Sequence, residues 1–87
     1  MNAIQGASPW TRTAIANLTP DEFAEIEATV PDGMYAVLLC GRRPGDWTVS
    51  LLHAVENGQR PQAVEVARVK CLDIVNGVRA AVAKAAA

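Results

Sequence analysis

The C-terminal third of this chain constrains its fold most. Between Pro61 and Ala86 the apolar residues Val64, Ala67, Cys71, Ile74, Val78 and Val82 recur at intervals of three and four. That spacing sets them on one stripe of an α-helix. Gln62, Glu65, Asp73, Asn76 and Lys84 gather on the other side, so the pattern predicts a long amphipathic C-terminal helix. Gly77 falls on the polar side, costs about 1 kcal/mol relative to Ala in a helix interior, and is the expected kink. Val66, Val69 and Leu72 lie off the stripe and are expected to meet a second copy or another partner. A competing reading starts from Asn57-Gly58, a strong hairpin-turn signal. Val64-Glu65-Val66 alternates after it, so a third strand could return from that turn and leave a shorter helix. Val66 would then be an ordinary sheet residue.

Upstream the period changes. Met34 to Cys40 is a continuous apolar run, MYAVLLC, of strand length. Trp47-Thr48-Val49-Ser50-Leu51 alternates, as a strand with one dry face does. The Gly- and Pro-rich stretch Gly41–Asp46 between them makes an antiparallel hairpin. A strand apolar on both faces needs cover on both, here helices on one side and a second protomer on the other. At the front, Ser8-Pro9 can start a helix to about Asn17, with Trp10, Ala14 and Leu18 leaning inward. Thr19-Pro20-Asp21-Glu22 is a capping box opening a second helix, with Phe23, Ile26 and Val30 on its apolar side and Pro31 ending it. Residues 1–7 lack periodicity and read as a flexible terminus. The fold class is therefore α+β in a single small domain, residues 1–87: short N-terminal helices, an antiparallel hairpin extended by the third strand on the competing reading, and a long C-terminal amphipathic helix.

With three strands the order becomes α-β-β-β-α, which resembles the double-stranded-RNA-binding domain, and AVAKAAA is similar to the end of that domain's last helix. The resemblance would imply a lysine cluster set against phosphates at the start of the last helix. Val69-Lys70-Cys71-Leu72-Asp73 supplies one Lys, so the family is not assigned.

Function is constrained mainly by exclusion. The chain of 87 residues has a net charge of −1, so no overall field favours nucleic acid or a membrane surface. Acids are concentrated in residues 1–33 and bases in residues 34–87. A chain this short buries only about 60–65% of its unfolded surface, and association would help it. No apolar run approaches the roughly 20 residues of a membrane span. MNAIQGASPW has neither the basic nor the apolar region of an export signal. Cys40 and Cys71 have no CxxC or metal-ligand spacing, and a disulfide between them requires Cα atoms within about 7 Å. These features predict a cytoplasmic protein.

His53 has no partner placed to orient it as a general base, Ser50 has no surrounding motif, and Asp21-Glu22 is explained by capping. No catalytic residue, metal site or cofactor is assigned. Arg42 and Arg43, on the hairpin loop, suit phosphate or carboxylate, with Arg60 at the far end of the same hairpin. Trp47, beside that loop, is a core residue or an interaction hot spot. The reading is a small non-catalytic protein-binding module, an adaptor, accessory subunit or inhibitor. It would act as a homodimer through Arg42, Arg43, Trp47, Val66, Val69 and Leu72. The alternative is a nucleic-acid-binding protein using the basic hairpin loop.

Overall fold

A computed structural model describes residues 3–6, 8–40, 45–58 and 60–87. Three helices and a mixed four-stranded sheet occur in the order β1 (Ile4–Gly6), α1 (Pro9–Ala16), α2 (Pro20–Thr29), β2 (Met34–Cys40), β3 (Trp47–Asn57), β4 (Arg60–Cys71) and α3 (Ile74–Ala86). The sheet order is β1-β2-β3-β4. β2, β3 and β4 form an antiparallel meander, and β1 pairs parallel to β2.

The local chemistry explains each helix start. Ser8 caps α1, its hydroxyl accepting from the Thr11 N–H at 3.2 Å, with Pro9 at the first helical position. The capping box of α2 is complete: Thr19 Oγ1 accepts from the Glu22 N–H at 3.2 Å, and Glu22 Oε1 accepts from the Thr19 N–H at 3.1 Å. Asp73 caps α3 through the Asn76 N–H at 3.2 Å. Gly33, at φ +81, takes the left-handed turn between α2 and β2 that other residues avoid.

The long C-terminal helix is corrected. Residues 60–71 are a strand, and the helix covers only Ile74–Ala86. Val64, Ala67 and Cys71 fit a helical stripe, but Ala67, Val69 and Cys71 also fit a strand face at spacing two. Pairing with β3 decides between them, because it satisfies the backbone of β4 and buries Ala67 beside Leu51. The hairpin is correspondingly extended to three antiparallel strands.

The register arranges the core in rows, since residues directly opposite each other share a face. Ile4, Ala36, Leu51 and Ala67 form one row, and Leu38, Val49 and Val69 the next. Onto them pack Ile26 of α2, Val30 at its C-cap, and Ile74, Val75, Val78 and Ala81 of α3. Leu38, Val49, Leu51 and Val78 are fully buried, each such burial being worth about 1.5–3 kcal/mol.

Three further expectations change. Ile4–Gly6 is a strand within the stretch read as a loose terminus, and Ile4 is 2% exposed. In α1 the fully buried residue is Thr11, not Trp10, which is 65% exposed, while Ile15 and, just after the helix, Leu18 pack against the core. The Thr11 hydroxyl lies 2.9 Å from the Ser8 hydroxyl, so capping turns this face of the helix inward. Gly77 is no kink. It is buried in the first turn of a continuous α3, where an added Cβ would lie 2.9 Å from Val49 Cγ2 and closer still to Cys71 Sγ. The absent side chain lets the helix approach the sheet.

Candidate functional site

Helices α1 and α3 contact the same face of the sheet, and α2 packs on α3. Among the described residues nothing covers the other face. It is built from the alternate positions: Tyr35, Leu52 and Glu65 in one row, Gln5, Val37, Ser50 and Arg68 in the next, and Leu39, Thr48 and Lys70 in the third. Apolar character follows β2, where Tyr35, Val37 and Leu39 are half-buried, and continues onto Leu52 of β3. A solvated antiparallel face is usually polar. β4 is polar on this face and β2 is not, which reflects the two-sided apolar run MYAVLLC.

The polar flank is organised by a β-bulge. Leu51 pairs with Ala67 and Leu52 with Glu65, leaving Val66 without a partner in β3. Without that extra residue in the count, Glu65 falls on the same face as Ser50 and Arg68. Its Oε1 accepts from Ser50 Oγ at 2.7 Å and from Arg68 Nε at 2.7 Å. The Ser50 hydrogen bond, then that of Arg68, holds the Glu65 carboxyl below its usual value. On the helix layer, Arg79 of α3 pairs with Glu25 of α2.

The six residues expected to bind a partner do not share one surface. Trp47 is half-buried at the end of β3, opposite Cys71, and Leu72 follows at 87% exposure. Val66 sits at the bulge, 39% exposed, and Val69 packs against the protein's own core. With residues 60–71 in a strand, Val66, Val69 and Leu72 do not form one helix face. Arg42 and Arg43 lie outside the described residues. Their loop joins the Cys40–Trp47 end of the hairpin, whereas Arg60 pairs with Asn57 at the other end. Ten residue steps of β3 separate the two ends, about 33 Å of strand.

His53 is exposed beyond the helices, in a row with Met34 and Val64. Cys40 and Cys71 flank Trp47 on either side. Two strand spacings put their Cα atoms about 10 Å apart, beyond disulfide reach. Burial, reinforced by Asp73, pushes the Cys71 thiol above its usual pKa, so it is the protonated, weakly nucleophilic form at neutral pH. No cluster of His, Cys, Asp and Glu among the described residues could hold a metal, and none of the described helices is long and apolar enough to cross a membrane. The open face was legible in part, through the two-sided apolar run. Its polar flank was not, because a bulge shifts which residues share a face.

No family model matches this chain, and neither does any curated protein or solved structure.

Proposed function

We propose that this chain is a small non-catalytic protein-binding module, an adaptor, accessory subunit or inhibitor, that acts by surface complementarity and forms a homodimer through the open face of its sheet. The observation that carries this reading is the apolar strip Tyr35, Val37, Leu39 and Leu52 on a face that none of the described residues covers. A two-fold interface brings each patch against itself. The strip is uncharged, and its flank holds both signs, Glu65 beside Arg68 and Lys70, so stacked copies need not repel. Sedimentation across a dilution series should give the mass of two chains, falling to one on dilution. Val37→Glu places a charge at the centre of the strip and should give a folded monomer at every concentration. A wild-type monomer at high micromolar concentration would overturn the homodimer.

The nucleic-acid alternative has less support, because the net charge of −1 gives the chain no overall field that favours a polyanion. Its signature would be binding to nonspecific duplex that weakens steeply with salt.

A further inference from the structure

An open groove of about 1180 Å³ is walled by β1, α1 and α2, with an apolar floor of Ile4, Ile15, Leu18 and Phe23. It is somewhat larger than the roughly 300–1,000 Å³ of common small-molecule sites, as fits a groove open to solvent. Ile4 is 2% exposed and seals the bottom. The surface a guest meets is therefore that of Ile15, Leu18 and Phe23, each half-buried. None of these residues belongs to the apolar strip of the open face.

Two of the lining residues are charged, Arg12 and Glu27, and both are exposed. Neither joins an ion pair among the described residues, where the pairs are Arg68 with Glu65 and Arg79 with Glu25. They stand at different ends. Arg12 lies against Gly6, whereas Glu27 also borders a smaller cleft beside Ala3. Ala3 and Gly6 are three residues apart, about 10 Å of strand. The Arg12 end is the better built. A Cβ on Gly6 would lie 2.8 Å from the Arg12 backbone N and 3.0 Å from Arg12 Cγ, so close packing holds the base of this side chain. Its guanidinium offers a carboxylate two parallel hydrogen bonds, where a carboxylate offers an ammonium a point contact. An anionic head is thus drawn to the Gly6 end and repelled from the Glu27 end. The remaining polar side chain of the lining is Gln5. A peptide brings an N–H and a C=O with every residue, each needing a partner. A hydrocarbon tail needs none.

We propose that this groove binds a free carboxylic acid with an unbranched apolar tail. The carboxylate pairs with Arg12, and the tail lies over Ile15, Leu18 and Phe23 toward Glu27. Each methylene that the floor covers tightens binding by up to about fourfold. The homodimer is not required, since the groove and the strip share no residue.

The test titrates octanoate, hexanoate, octanol and octylammonium separately into the full chain and follows the amide resonances. Octanoate should shift Gly6, Arg12, Leu18 and Phe23 and bind more tightly than hexanoate. It should bind about two- to fivefold more tightly than octanol, the expected worth of one exposed ion pair. Arg12→Gln should bring octanoate down to the level of octanol, and Glu27→Gln should not. Ala24→Trp, on the exposed wall of α2, fills the groove and should weaken every probe. These positions are exposed, and an otherwise unchanged amide spectrum verifies the fold. No shift at millimolar octanoate, shifts confined to the open face, octylammonium binding as tightly as octanoate, or a preference over octanol that survives Arg12→Gln would each overturn the proposal.

Discussion

Gly77 is the residue through which α3 touches the sheet, and its value lies in the atom it lacks. Ala at this position gains about 1 kcal/mol of helix propensity but forces a methyl against Cys71 and Val49, and overpacking costs about 1–3 kcal/mol. A Cβ has no rotamer through which to escape, so the steric term should win. Gly77→Ala should lower the urea midpoint, with a net loss of up to about 2 kcal/mol. Adding Cys71→Ala should recover much of it, a non-additivity that identifies the contact. Glu65 makes a different prediction. Its pKa is lowered in the folded chain, so the unfolded chain takes up protons first as pH falls. The stability it contributes is present above about pH 4.5 and is lost as pH falls through the folded value. The stability gap between wild type and Glu65→Gln should therefore be level near neutrality and narrow in acid. Ser50→Ala should move the Glu65 titration upward, because the Ser50 hydroxyl is the largest cause of the shift. An unmoved titration would count against that hydrogen bond.

At the scale of elements, β3 and β4 extend past the rest of the sheet. The pairing of β2 with β3 stops at His53, so from Val55 to Gln62 the two strands pair, among the described residues, only with each other. An isolated two-stranded ribbon is marginal in water. Amides of this arm should exchange orders of magnitude faster than those of Val49 and Leu51, and uniform protection along β3 would show that the arm is held by something else. The same elements mark what the residues reveal on their own. The start of α2 was legible because Thr19, Pro20 and Glu22 act on neighbouring backbone and need no tertiary context. β2 was legible because MYAVLLC matches no amphipathic helix. Residues 61–71 were ambiguous because their apolar spacing satisfies two periods, and only the partner strand chooses between them. β1 left no periodic signal in three residues. Trp10 was misplaced because large apolar residues are assumed to turn inward, whereas Thr11 pairs with the cap.

Across the whole molecule, charge and surface divide between two regions. The acids of residues 1–33 stand on α2 and its flanking turns, beside the groove, while the bases of residues 34–87 include Arg68 and Lys70 on the open face. The two proposed surfaces thus differ in both shape and charge. The open face could be foreseen from one strand. The groove could not, because its floor is assembled from residues 4, 15, 18 and 23 on three elements, none of which carries a motif. The longest dimension, 39 Å against 25 and 23 Å, matches the reach of the extended hairpin. The placement of β1 also orders events in time. β2, β3 and β4 are neighbours in the chain and can associate through short closures, whereas β1 reaches β2 only when residues 7–33, including both N-terminal helices, have been looped back. Closing a longer loop is entropically slower, so β1 should be the last strand to dock and the first to detach. The groove it edges would then exist only once the chain has finished folding.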